Sequence, residues 1–262
     1  MNAPTRQPTL TMPPNATRHR IDATETVSRS RTLRFGFLAA MFIITGSLPA
    51  TAATLQVDLT SLLNARIVTT LSGGRLVPWT DALDNAGSGE ATCSAALRMG
   101  DANPRALPDD GLFPATASHP RVRLHFSDAR ATGDQVHRSV GRDDFKIAVP
   151  PTHYRQLWIF CMSGLGKSLL TVTLSYADGS SVQKRLTVPD WYFPAQDNDP
   201  RLCNLAGNLG KWGKDNRMME KDHHYLVGID LAPDARRTLT GVRIEKGDSG
   251  VLTLWGVTGV TP

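Results

Sequence analysis

The feature that most constrains this chain is a strict alternation: Leu170, Val172, Leu174 and Tyr176 take turns with Thr171, Thr173 and Ser175. Successive side chains of an extended strand point to opposite faces, so the pattern predicts a strand with one apolar and one polar face. The run ends in Ala177-Asp178-Gly179-Ser180, and a second run through Val182, Leu186 and Val188 follows it. Glycine supplies the positive φ of a tight turn, so the two runs form an antiparallel hairpin. The same period recurs in Val122, Leu124 and Phe126, in Phe145, Ile147 and Val149, and in Tyr225, Val227, Ile229 and Leu231. Val242 and Ile244 lead through Gly247-Asp248-Ser249-Gly250 into Val251–Val260. With Val57–Leu63 this makes eight or nine strands, which predicts an all-β, antiparallel, jelly-roll-like β-sandwich. One helical turn is expected, over Lys214–His224. The stretch from Ser72 to Ser118 is rich in Gly, Pro, Asp and Asn without a sustained period. It reads as long loops bearing a strand around Ala95–Met99, and loops on a rigid scaffold are where function usually resides.

The front of the chain has a different character. Arg29-Ser30-Arg31-Thr32-Leu33-Arg34 precedes an apolar run, Phe35 to Thr45, which is followed by Ala50-Thr51-Ala52-Ala53. A basic stretch, an apolar stretch and a small-residue cleavage site form a secretory signal, cut after Ala52 or Ala53. Residues 1–53 are therefore read as the signal with its preceding segment, and 54–262 as a single domain, secreted or periplasmic in a bacterium. The apolar run falls well short of the ~20 residues a spanning helix needs, so no stable membrane anchor is expected. Residues 1–53 also hold six arginines against Asp22 and Glu25, which leaves 23 basic and 22 acidic side chains for the rest. A body so balanced lacks the excess of positive charge that a general nucleic-acid binder presents.

Export permits disulfides, and the chain has Cys93, Cys161 and Cys203. The polar surroundings of Cys93 and Cys203 favour a bridge between two loops. Cys161 closes the apolar run Leu157-Trp158-Ile159-Phe160 and reads as a buried, inert thiol. No Cys-x-x-Cys or paired-histidine spacing indicates zinc.

Tyr154–Phe160, the Tyr176-Ala177-Asp178-Gly179 turn, Val188-Pro189-Asp190-Trp191-Tyr192 and the strands from Tyr225 and Thr238 together resemble the β-sandwich accessory modules of secreted bacterial glycoside hydrolases. These modules are similar to galactose-binding-like jelly rolls. The resemblance implies sugar binding on loops or on a concave sheet face, with a structural calcium ion in some members. No catalytic domain accompanies the module here, a departure from the usual arrangement.

A pyranose packs its C–H face on an aromatic ring and offers its hydroxyls to amides, carboxylates and guanidinium groups. Trp158 and Trp255 lie in apolar strands and are expected in the core. Trp79, Trp191 and Trp212 stand beside Pro, Asp, Gly and Lys and are expected at the surface. Asp190, Trp191 and Tyr192, continuing into Phe193-Pro194, form the first-choice platform. Trp212, Asn204, Asn208, Lys211 and Asp215 are its candidate polar and stacking partners. The alternative is that Trp191 and Phe193 fasten a long loop to the sandwich edge.

Two acid pairs, Asp109-Asp110 and Asp143-Asp144, offer the carboxylates of a glycosidase or oxygen ligands for calcium, although Asp-Asp-Gly after Pro108 is first of all a turn. Asp222-His223-His224 contains metal-ligand residue types, but adjacent histidines on a strand point to opposite faces. Gly247-Asp248-Ser249-Gly250 resembles the nucleophile motif of chymotrypsin-like proteases without the upstream histidine motif, and a strand turn explains it. Gly164-Leu165-Gly166-Lys167-Ser168 ends like a phosphate loop but runs on into a strand. The leading expectation is an exported carbohydrate-binding β-sandwich without catalysis. The alternatives are a secreted hydrolase of cell-wall or host polysaccharide and a protein-interaction module.

Overall fold

A computed structural model describes residues 53–84, 87–126, 133–195 and 199–262, all within the compact unit Leu48–Pro262. The expected signal lies outside the described residues. In chain order the elements are β1 (Thr54–Gln56), β2 (Val68–Ser72), β3 (Arg75–Val77), β4 (Ser88–Ala91), α1 (Cys93–Arg98), β5 (Leu112–Phe113) and β6 (Val122–Arg123). Then come β7 (His137–Val140), β8 (Asp143–Ile147), β9 (Thr152–His153), β10 (Gln156–Gly164), β11 (Ser168–Tyr176) and β12 (Ser181–Val188). The last four are β13 (Leu202–Gly213), β14 (Met218–Asp230), β15 (Thr238–Lys246) and β16 (Val251–Val260).

The expected all-β sandwich is what forms. A nine-stranded sheet runs β1-β16-β10-β14-β13-β4-β2-β3, with β7 added beside β16. A five-stranded sheet runs β12-β11-β15-β8, with β9 beside β15. Leu170, Val172, Leu174 and Tyr176 of β11 meet Leu157, Ile159 and Cys161 of β10 and Val227 and Ile229 of β14 in the core between the sheets. The β11–β12 hairpin turns at Asp178-Gly179 as the sequence predicts, with Gly179 at φ 82°.

The larger sheet is covered on its other face as well. Trp158, Phe160 and Met162 alternate with the residues just named and face a second core, built with Ile67, Leu83, Leu107, Leu124, Phe126 and Val136. Strands buried on both faces lose the apolar–polar alternation and read as continuous apolar runs. This is why every residue of β16 is buried. A bulge opposite Phe160/Cys161 places Trp255 in the second core while Leu254 and Val257 stay in the first. Gly256 keeps the layers close: a Cβ there would lie 2.9 Å from Leu124.

The stretch from Ser72 to Ser118, expected as long loops bearing one strand, carries β3, β4, α1 and β5 among the described residues, and contributes Leu83, Leu107 and Phe113 to the second core. The strand expected at Val57–Leu63 is instead β1, which ends at Gln56, followed by a turn that buries Val57 and Leu59. The strand expected around Ala95–Met99 is α1, whose Ala95 and Ala96 are buried against Ala91 and Trp212. The helical turn expected over Lys214–His224 is the tip of the β13–β14 hairpin and the start of β14. There Glu220, Asp222 and His224 alternate with the exposed Lys221 and His223. Period-two order was present, but polar side chains on both faces hid it. The bridge expected between Cys93 and Cys203 is absent; no disulfide joins any of the three cysteines. Cys203 packs in the second core, where burial pushes its thiol up to about 11, and the fully buried Cys161 is raised for the same reason. Truncating Trp255 to alanine opens the second core and is expected to lower unfolding free energy by about 3–5 kcal/mol, read as a shifted urea midpoint.

Candidate functional site

β12 is an edge strand, hydrogen-bonded only to β11. Between it and the inner-face residues Leu202, Val227 and Ile229 of β13 and β14 lies a cleft of about 960 Å³. The segment Pro189–Ala195 forms one lip, and Arg185, Lys167, Asp199, Arg201 and Asp230 bring charge to the walls. The lip is firmly held. Asp190 Oδ2 accepts the Gly166 N–H at 2.6 Å and Oδ1 accepts the Tyr192 N–H at 3.1 Å. Trp191 N–H donates to the Ser163 carbonyl, Tyr225 N–H donates to the Trp191 carbonyl, and Asn204 Oδ1 accepts the Ala195 N–H. So fastened, the lip presents Phe193 with 63 % of its surface exposed.

The expected exposure of the tryptophans is corrected. Trp79, Trp191 and Trp212 are 4, 2 and 3 % exposed, while Trp158 and Trp255 lie in the core as predicted. Trp191 stacks on His224 with ring centroids 3.6 Å apart and planes within 15°, and Lys211 Nζ sits 5.5 Å from its ring. Trp191 therefore fastens the lip, and the ring offered to solvent is its neighbour Phe193. Large aromatics beside turn residues usually find packing, and which of two nearby rings turns outward is decided by the strand beneath them. Trp212 packs on Ala91, Ala95 and Ala96, in a different cluster from Trp191. Asn208 Oδ1 accepts the Tyr225 hydroxyl at 2.9 Å, and Asp215 accepts the Arg217 N–H in the β13–β14 turn. Of the residues expected to bind, Asp190, Trp191 and Tyr192 with Phe193 and Pro194 share the lip segment, and Asp190, Phe193 and Pro194 line the cleft.

Under the lip is a buried ionic cluster. Lys211 Nζ lies 2.8 Å from Asp84 Oδ2 and 3.2 Å from Glu220 Oε1, and it donates to the Tyr192 hydroxyl at 3.1 Å. Burial lowers the Lys211 pKa, but its bonds to Asp84, Tyr192 and Glu220 outweigh this and hold it above its ordinary value. Burial likewise pushes the Asp84 carboxyl up, yet Lys211 and the Ser88 hydroxyl and N–H bring it below the usual range. His224 Nδ1 is 3.1 Å from Glu90 Oε1, both side chains being fully buried. Because the folded-state pKa of Asp84 is depressed, its contribution is complete above the unfolded value of ~3.9 and is lost as pH falls through the lower folded value. Asp84→Asn is expected to cost about 3 kcal/mol at pH 7 by leaving Lys211 poorly compensated. Urea titrations between pH 6 and pH 2 should show a shallower loss of stability in the variant than in the parent.

The acid pairs separate. Asp109 receives the N–H and hydroxyl of Ser94 in the first turn of α1. Asp110 accepts the Leu112 N–H in a turn and lines a small pocket of about 240 Å³ with Asp58, Arg123 and His125. Asp144 pairs with Arg243, which holds its carboxyl below the usual range. Asp143 accepts from the Ser139 hydroxyl and lies 3.0 Å from His137 Nε2. The trio Ser139, His137 and Asp143 is not arranged for nucleophilic catalysis. Serine and carboxylate share one ring nitrogen, and the other faces the Leu62 carbonyl, whereas the mechanism needs them on opposite nitrogens. Gly247–Gly250 is the β15–β16 turn, with Lys246 Nζ donating to the Asp248 and Gly250 carbonyls. Gly164–Ser168 is the β10–β11 turn, with Gly166 at φ 101°. Among the described residues, no three His, Cys, Asp or Glu side chains converge as a metal site requires, and no helix is long and apolar enough to cross a membrane.

What the sequence reading missed are the charged walls: Lys167, Arg185, Asp199, Arg201 and Asp230. Arg201 grips Asp199 through two hydrogen bonds of 3.0 and 2.8 Å, and these bonds lower the Asp199 carboxyl to about 2. Asp199-Pro200-Arg201 was the only local signal, since Lys167 comes from the β10–β11 turn, Arg185 from β12 and Asp230 from β14.

No family model matches the chain, and no curated protein matches it. Among solved structures it is similar to one described as a non-crystalline cellulose specific carbohydrate-binding module, CBM28. The two share 13% identity over 58% of this chain and 85% of that one, with a TM-score of 0.26. At that score the likeness bears no weight on topology or ligand, and both rest on the residues described above.

Proposed function

We propose that this chain is an exported, non-catalytic carbohydrate-binding β-sandwich whose ligand lies in the cleft between β12 and the Pro189–Ala195 lip. One observation carries the reading: the exposed Phe193 ring stands over a 960 Å³ cleft whose walls mix Leu186, Leu202, Val227 and Ile229 with guanidinium and carboxylate groups. A binding site is typically a mostly apolar concavity with a few placed polar groups. A sugar matches it in particular because its ring has a C–H face for an aromatic and hydroxyls for fork-shaped donors. The Ala50–Ala53 cleavage pattern supports export.

A second reading, protein interaction, is favoured by the free edge of β12. Its outward backbone groups border the same cleft and are of the kind that accept an added strand.

A glycan array probed with the full chain is the direct test, with binding expected and no release of reducing ends. Phe193→Ala should weaken binding about tenfold while leaving the unfolding free energy from urea titration within about 0.5 kcal/mol of the parent, as exposed positions do. Trp191→Ala should instead cost about 3–5 kcal/mol of stability. Unchanged glycan binding in Phe193→Ala would remove the cleft from consideration, and capture of extended peptides in place of glycans would move the assignment to strand addition.

A further inference from the structure

We infer that the cleft selects anionic polysaccharide, with Lys167 and Arg185 reading carboxylate or sulfate groups along it; this rests on the carbohydrate reading above. The observation is an asymmetry in how the wall charges are satisfied. Among the described residues, each carboxylate of the cleft already has partners. Asp190 receives the Gly166 and Tyr192 N–H groups. Asp199 is gripped by Arg201. Asp230 accepts the Leu157 and Ala232 N–H groups through Oδ1, and burial pushes its carboxyl up, away from the charged form. Lys167 and Arg185, by contrast, are exposed and have no ion pair or side-chain hydrogen bond with any described residue. Among the described residues the formal charges of the walls balance, but what they leave available to a ligand is positive.

The two cations are also spaced. Ser168 pairs with Val188 and Thr171 with Arg185, so Lys167 and Arg185 stand four residues apart along the β11–β12 ladder, Arg185 on the Thr171 face of the edge strand, where it borders the rim of the cleft. At about 3.3 Å per residue this is roughly 13 Å, wider than a single pyranose ring. Two flexible cations at that separation suit successive acidic groups on an extended chain better than one acidic monosaccharide. The selectivity is local, because residues 54–262 carry 23 basic against 22 acidic side chains and present no general attraction for polyanions. A lysine contributes a point charge and an arginine a planar fork, so carboxylate and sulfate are both within reach of the pair.

The test uses the full chain and matched probes: oligogalacturonate against its carboxyl-reduced counterpart, and dextran sulfate against dextran. Tighter binding of at least one charged probe than of its neutral partner is expected, weakening as salt is raised. The double variant Lys167→Gln, Arg185→Gln should lose about tenfold of that affinity together with its salt dependence, and should lose much less of whatever affinity the neutral probes have. The charged probe that responds to the substitutions identifies the anion. Both substitutions are at exposed positions, and an unchanged urea midpoint confirms that folding is intact. Equal binding of charged and neutral partners, or no response to the double variant, overturns the anion selection and leaves the carbohydrate reading standing. Failure of every glycan to bind overturns both.

Discussion

The whole molecule depends on burying the nine-stranded sheet on both of its faces. A sheet with one wet face needs only a partner sheet, but β10 and β16 carry Trp158, Phe160 and Trp255 on the side away from the sandwich. These rings would be a large exposed apolar patch without cover. Ile67, Leu83, Leu107, Leu124, Phe126 and Val136, from short strands and turns earlier in the chain, supply that cover and fill the second core. The segment poorest in regular structure is therefore the one that makes the central sheet's composition tolerable.

The same sheet positions the cleft. β13 and β14 carry their inner-face residues alongside the edge strand β12, and the Pro189–Ala195 lip is held by Trp191 against His224 and by the ionic cluster around Lys211. Charge buried this deeply is weak ground for net stability, because desolvation offsets much of the attraction. Its value here is directional: Tyr192, Lys211, Glu220 and Asp84 hold one another in a single arrangement, and that arrangement sends Phe193 outward. Function and packing meet two positions apart, Trp191 serving the lip and Phe193 facing the solvent.

Much of the architecture was legible in the chain because alternation is a local property. β8, β11, β12, β14 and β15 follow from period two and their turns, and the opposite fates of His223 and His224 follow from the same rule. The misreadings have a common cause. Trp191 and Trp212 sit among turn-forming and polar residues, which suggests solvent, yet His224 and the alanines of β4 and α1 cover them. Cys203 has polar neighbours in sequence and apolar neighbours in space. Glu220–His224 alternates correctly, but an ionic cluster on its inner face replaces the apolar signal by which strands are recognised.

The order of apolar and polar residues by itself determined that this chain would form antiparallel strands, where the hairpins would turn, and that its body would be nearly neutral. Those outcomes depend on neighbours a few residues away and on sums over the chain. The tertiary structure alone decided that Trp191 would be covered and Phe193 bare. It also decided that Lys167 and Arg185 would border the rim of a cleft whose described carboxylates were already engaged. Both depend on which distant strands come to lie beside a given side chain, and burial and pairing are properties of that company, not of the residue.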